Sequence, residues 1–118
     1  MLPKKNRNSR KTIEQIFKSG RFVSSPNLTF KFTIKEDSEK MVSFITPKTI
    51  SKKAVVRNLL RRRGYAVLKK YFEGLPTGLS GVFVFGKKSL EIFGGKKSKK
   101  YNPIQNLENE IKVIIHKL

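Results

Sequence analysis

The sequence predicts a small α+β domain with elements in the order αβββαβα, and three patterns carry that expectation. Leu28-Thr-Phe-Lys-Phe-Thr-Ile34 alternates apolar and polar residues, the period of a strand with one buried face. Val82-Phe-Val-Phe85 is apolar throughout, as suits an inner strand. The stretches 51–72 and 102–115 repeat apolar residues at the spacing of a helix with one buried side. The 118 residues suffice for one core and are too few for two, so residues 1–118 read as a single domain.

Met1 to Arg10 is polar and basic and reads as extended chain. Ser9 or Thr12 caps a short helix that carries Ile13, Ile16 and Phe17 and ends at Gly20. Residues 22–24 form a short strand before Pro26. In the strand at 28–34, Leu28, Phe30, Phe32 and Ile34 face one way and Thr29, Lys31 and Thr33 the other. Lys35 to Lys40 reads as a charged turn into a strand at Met41 to Thr46, which makes a hairpin. Its acidic residues Glu36, Asp37 and Glu39 solubilise the tip.

The long helix is expected from Ser51, as N-cap, to Phe72. Val55, Val56, Leu59, Leu60, Val67 and Tyr71 share one broad side. Gly64 lies mid-helix at a cost of about 1 kcal/mol against alanine, and either permits close packing or marks a bend. Gly74 to Gly78 is a loop, and Gly94 to Lys100 reads as a flexible basic link. From Asn102 or Pro103 a last helix places Ile104, Leu107, Ile111, Ile114 and Ile115 at helical spacing. Glu108 and Glu110 lie in its earlier part, where the helix dipole favours them.

Charge narrows the function. The net charge is +19 and the pI near 10.5, a self-repulsion best explained by a polyanionic partner. Nucleic acid leads, and an anionic membrane surface comes second. The absence of cysteine excludes a disulfide scaffold and thiolate metal sites, and fits a reducing compartment. No apolar run approaches a membrane span, and no apolar stretch follows the basic N-terminus as in a signal peptide, so a cytoplasmic location is expected.

The most specific signal lies in the long helix. Arg57, Asn58, Arg61 and Arg62 project from adjacent turns on the side away from its apolar residues. Guanidinium groups bind phosphate through paired N–H donors, and an asparagine amide can read a sugar or a base edge. The competing reading is an ordinary solvated face. Against it, no acidic residue occurs between Glu39 and Glu73, so no pairing along the helix neutralises these charges.

Catalytic chemistry is sparse. The single histidine, His116, sits near the end of a helix, where the dipole favours it. Two-metal nucleases gather several carboxylates, whereas this chain has one aspartate, Asp37, and seven glutamates. There is no Walker loop, zinc spacing or nucleophile–base pair, so no catalytic residue and no protein metal site is expected. The chain is equipped to hold RNA and poorly equipped to cut it alone.

These residues resemble the bacterial ribonuclease P protein component. The match begins at Leu2-Pro-Lys-Lys-Asn-Arg7 and continues through Ile16-Phe17, Gly20-Arg21 and the strand at 28–34. It is strongest at Lys52-Lys-Ala-Val-Val-Arg-Asn58 and Arg61-Arg62-Arg63. The resemblance spans nearly the whole chain. It implies a compact α+β fold with a small, mostly antiparallel four-stranded sheet, helices packed on it, and a left-handed βαβ crossover. It also implies that the chain joins a catalytic RNA and assists its endonucleolytic removal of 5′ leaders from precursor tRNAs. Mg²⁺ would then serve RNA phosphates, with the catalytic centre in the RNA.

By the same resemblance, Lys52, Lys53, Arg57, Asn58, Arg61, Arg62 and Arg63 bind the catalytic RNA. Leu59 stands where the family has its second motif arginine, and Arg61 or Arg62 compensates from the same face. Phe17, Lys31 and Lys48 are the leader-binding candidates, Lys48 through Pro47-Lys-Thr49 in place of a Ser-Lys-Lys segment. On spacing alone Phe17 is equally a core residue, and Phe30 and Phe32 are core. Gly64-Tyr65 departs from the family pattern, and the segment 86–102 is longer than usual. Neither membrane nor DNA is an expected partner. The alternatives are a structural RNA-binding protein of ribosomal type, which leaves the helix motif unexplained, and a duplex-DNA binder, for which no helix-turn-helix precedes the basic helix.

Overall fold

A computed structural model describes residue 8 and residues 10–35 and 39–118. The segment Leu2–Arg7, the Ser9 cap and the turn residues Glu36 and Asp37 lie outside the described residues. The elements are α1 (Arg10–Ser19), β1 (Arg21–Ser24), β2 (Leu28–Ile34), β3 (Met41–Ile45), α2 (Ala54–Leu68), β4 (Leu79–Phe85), α3 (Ser89–Phe93) and α4 (Pro103–His116). Apart from the short α3, this is the expected order.

The four strands form one sheet in the order β1-β2-β4-β3. β1–β2 and β2–β4 are antiparallel, while β3 runs parallel to β4. The hairpin expected between 28–34 and 41–46 is therefore not formed. β4 enters between those two strands and pairs with both. The reason lies in its composition: Leu79-Ser-Gly-Val-Phe-Val-Phe85 can be buried on both faces, so it takes a central place. β3, α2 and β4 make a βαβ unit of adjacent parallel strands.

Strand alternation gives the sheet two faces. Leu28, Phe30 and Phe32 of β2 align with Phe83 and Phe85 of β4 and with Val42 and Phe44 of β3. α2 and α4 cover this face and supply Leu60, Leu68, Leu107, Ile111 and Ile114, all fully buried. The rings of Phe44 and Phe83 stack at 4.8 Å, and Phe30 meets Phe83 at 4.3 Å. Thr29, Lys31, Thr33, Val82 and Val84 lie on the other face, which α1 crosses with Ile16 buried beneath it. Asn8 is tied to that face as well. Its backbone N–H donates to Ser43 Oγ and its side-chain amide to Ser80 Oγ, each at 2.8 Å.

α2 is shorter than its sequence pattern. It starts at Ala54 with Lys53 in the cap position, and Ser51 Oγ accepts from the Lys53 N–H at 3.2 Å instead of capping the helix. It ends at Leu68, and a separate 3-10 turn follows at Phe72–Gly74. The buried side is set by Leu60, Gly64, Tyr65, Val67 and Leu68. Val55, expected on that side, is 75% exposed, and the first turn of α2 holds no buried residue. Gly64 serves close packing: a Cβ there would lie 2.6 Å from the Phe44 ring. Tyr65 Oη accepts the Phe44 N–H at 3.2 Å, which satisfies a backbone donor on the sheet edge.

The C-terminal third holds the other differences. α4 begins at Pro103, capped by Asn102, whose Oδ1 accepts from the Gln105 N–H at 3.0 Å. Ile104 is exposed rather than buried. Gly94 to Lys100 contains an ordered turn in which the Ser98 N–H donates to the Tyr101 carbonyl at 2.7 Å. Glu110 fixes the β1–β2 turn by accepting from Ser25 Oγ (2.6 Å), the Asn27 N–H (2.7 Å) and Asn27 Nδ2 (2.8 Å).

Candidate nucleic-acid interface

Two groups of the expected site residues are each brought together. The first is on α2. Asn58 and Arg62 are exposed and Arg57 and Arg61 half-buried, with Lys52 and Lys53 exposed just before the helix. Asn58 Oδ1 accepts a hydrogen bond from Arg61 Nη2, so the amide and one guanidinium form a coupled pair one turn apart. Arg57 Nη1 donates to the Ser51 carbonyl at 2.9 Å. That bond folds the 51–53 segment back onto the helix and leaves the rest of the guanidinium fork for a ligand.

The first turn of α2 holds no acidic residue. Lys52 and Lys53 therefore sit at the positive end of the helix dipole without compensation, an arrangement that favours an anion there. Arg63 differs from its neighbours. Its Nη1 donates to the carbonyls of Phe93 (2.6 Å) and Gly95 (2.8 Å), so it braces the chain after α3. Leu59 is half-buried, and Arg57 and Arg61 stand two residues to either side of it, with Arg62 one residue further on.

The second group lies on the other face of the sheet. Phe17 of α1, Thr29 and Lys31 of β2 and Val84 of β4 line a half-open hollow of about 390 Å³. Lys31 Nζ stands 4.8 Å from the centre of the Phe17 ring, a cation–π contact. Phe17 is 43% exposed, so it is neither a buried core residue nor a free one. Phe30 and Phe32 are core, as expected. The hollow thus offers an aromatic ring, an ammonium group and a hydroxyl within one opening. These can stack a base and pair with a phosphate at once. Lys48 is exposed in the turn after β3 and does not line the hollow that Phe17 and Lys31 share.

Phe22 was not singled out by its sequence. It pairs across the strands with Lys31 and therefore lies on the same face, 65% exposed. Phe17 and Phe22 then flank Lys31 from helix and strand. An aromatic in the outward register of a short edge strand is the signal that could have marked it.

Electrostatics set these surfaces apart from the rest of the chain. Among the described residues a single ion pair occurs, Lys70 with Glu108 at 3.5 Å, and it lies away from both groups. Tyr71 Oη also donates to Glu108. That hydrogen bond holds the Glu108 carboxyl below its usual range, against desolvation and with help from Lys70. The same bond raises the Tyr71 phenol, with burial and the carboxylate charge adding to it. Among the described residues no three of His, Cys, Asp and Glu gather closely enough to hold a metal, and no helix is long and apolar enough to cross a membrane.

The fold has close counterparts among solved structures. The ribonuclease P protein of Thermotoga maritima superposes with a TM-score of 0.79 at 18% identity, covering 95% of this chain and 96% of that one. The ribonuclease P protein of Staphylococcus aureus superposes with a TM-score of 0.72 at 13% identity, covering 98% and 92%. No curated protein sequence matches this chain. A family model described as Ribonuclease P matches residues 2–114, which takes in α1, the whole sheet and the basic helix. With the family model matched over nearly the whole chain and the same fold, the chain belongs to the ribonuclease P protein family, the protein component of bacterial ribonuclease P.

Proposed function

We propose that this protein divides its work between two surfaces, α2 holding the catalytic RNA and the Phe17–Lys31–Phe22 face receiving the single-stranded 5′ leader of a precursor tRNA. The observation that carries this reading is the placement of the two groups. α2 packs on one face of the sheet, and the hollow opens on the other. One RNA can therefore be held while another is threaded past. Arg57, Arg61 and Arg62 supply fixed charge to a folded RNA backbone, with Asn58 oriented by Arg61. Lys31 neutralises a leader phosphate, while Phe17 and Phe22 take unstacked bases.

In this reading the bond-breaking step belongs to the RNA. The protein raises the affinity for substrates with a leader and sets their position. Mg²⁺ held by RNA phosphates supplies the Lewis-acid chemistry of hydrolysis. The protein's own residues bind, orient and neutralise, and it works where RNA is processed, in the cytoplasm.

The test is cleavage of a precursor tRNA in Mg²⁺ by protein alone, by a bacterial ribonuclease P RNA alone at low salt, and by both together. Protein alone is expected to leave the precursor intact, and the mixture to release the leader faster than RNA alone. Specific cleavage by nuclease-free protein alone would overturn this division of labour.

A further inference from the structure

We infer that the lysine-rich segment from Lys87 to Lys100 is a second contact for structured RNA, fixed to α2 by Arg63 so that it extends the surface of the basic helix. This rests on the reading that α2 binds a folded RNA. The segment carries Lys87, Lys88, Lys96, Lys97, Lys99 and Lys100, all exposed. After Glu91 no acidic residue occurs until Glu108, and among the described residues none of the six lysines forms an ion pair. Six lysines against the single carboxylate of Glu91 in so short a stretch repel one another, and a phosphate backbone is the partner that relieves them.

What distinguishes the segment from a loose basic loop is its anchorage. Phe93 is fully buried against the core. Arg63 Nη1 grips the Phe93 and Gly95 carbonyls. Asn106 Nδ2 donates to the Ile92 carbonyl at 3.3 Å, and Tyr101 Oη to the Glu91 carbonyl at 2.5 Å. The Ser98–Tyr101 turn then presents Lys99 and Lys100 at its tip, between Lys97 and the start of α4. Lysines on a fixed backbone lose less freedom on binding than lysines on a mobile tail. Arg63 follows Arg62 directly, so the arginine run ends on a residue that turns inward to hold a lysine cluster beside the helix. RNA is favoured over a lipid surface because the segment's one exposed large apolar side chain is Leu90, 38% exposed and six residues before the Lys96–Lys100 cluster, which itself has none to enter a bilayer.

The experiment compares the full chain with a variant in which Lys96, Lys97, Lys99 and Lys100 are all glutamine. A charge-matched control changes Lys11, Lys69, Lys112 and Lys117 to glutamine. Binding to a bacterial ribonuclease P RNA transcript is measured across a salt series, with thermal melts to verify folding. The segment variant is expected to bind about tenfold more weakly or worse. Its slope of log affinity against log salt should flatten by roughly 0.7–0.9 for each phosphate no longer neutralised. The control should change both less. Equal losses in both variants would reduce the segment to bulk charge and overturn the proposal. So would an unchanged segment variant, while the native chain's tight binding would leave the α2 reading standing. Failure of the native chain to bind the transcript would remove both. Loss of binding to phosphatidylserine vesicles with RNA affinity intact would assign the segment to a membrane instead. Arg63→Gln keeps every lysine and releases the grip on Phe93 and Gly95. It should lose part of the RNA affinity, and an unaltered affinity would show that the anchorage plays no part.

Discussion

Replacing Phe17 with leucine isolates the aromatic character of the hollow. Leucine keeps most of the apolar bulk under α1 but cannot stack a base or hold Lys31 by its ring face. Stacking of a base on an aromatic side chain is worth about 1–3 kcal/mol. Here the ring is 43% exposed and Lys31 already stands over it at 4.8 Å, so the lower part of that range applies. A loss of about 1–2 kcal/mol corresponds to roughly 5–30-fold in affinity. The cost in stability should be small. The half-exposed ring gives up little burial, and an exposed cation–π contact contributes only about 0.5–1 kcal/mol. The assay uses protein reconstituted with a ribonuclease P RNA and titrates a precursor tRNA and the mature tRNA separately. The precursor should lose roughly the same 5–30-fold while the mature tRNA loses almost nothing. A variant that is well folded yet keeps the full preference for precursor would refute the stacking role, as would equal weakening for both substrates.

Three further outcomes follow from named contacts. Arg62→Ala and Arg57→Ala should each weaken RNA binding by about 1.5–3 kcal/mol. Only Arg57→Ala should also lower the melting temperature, because it alone loses a bond to the Ser51 carbonyl, and equal melts for the two would contradict that bond. Gly64→Ala drives a methyl group to 2.6 Å from a Phe44 ring that is itself stacked on Phe83, so overpacking of about 1–3 kcal/mol should exceed the helix-propensity gain of about 1 kcal/mol. Denaturant unfolding should show a net loss, and a more stable protein would mean that the ring can yield. The Tyr71–Glu108 bond ties the turn that follows α2 to α4 with a definite pH dependence. Glu108 is held low, so its contribution is full above the ordinary glutamate value near 4.3 and is lost as pH falls through the lowered one. Tyr71 is held high, so its contribution is full below about 10 and is lost as pH rises through the raised value. Tyr71→Phe should flatten the alkaline limb of the stability profile, and an unchanged limb would contradict the bond.

Local periodicity made most of this molecule legible, because elements such as 28–34 and 103–116 are specified by their own alternation or helical spacing. Pairing was not legible in the same way. Whether Met41–Ile45 lies beside β2 or beside β4 depends on which strand tolerates burial on both faces, and Leu79–Phe85 wins that place only when all three compete. Residues at the edge of an element also escaped the pattern. Val55 fits the apolar side of α2 by angle, yet burial on that helix begins only at Leu60. At the site, Lys31 and Phe17 were legible as types, but that they meet depends on where α1 crosses the sheet. Phe22 came into view only through its register with Lys31. Arg63 looked like its neighbours because sequence shows charge and not direction. Its two carbonyl partners lie 30 and 32 residues away.

The insertion of β4 between β2 and β3 has a consequence for the order in which a ribosome releases this chain. β2, β3 and the basic helix all emerge before β4, yet β3 has no strand to pair with until β4 arrives. A nascent chain that stops short of residue 79 can therefore hold the β1–β2 ribbon but not the sheet on which α2 rests. Its arginines are already synthesised and carry full charge, but nothing yet holds them in register. Competence to grip a folded RNA then arrives late, after the seven residues of β4 close the gap between two strands and α4 follows to cover the same core.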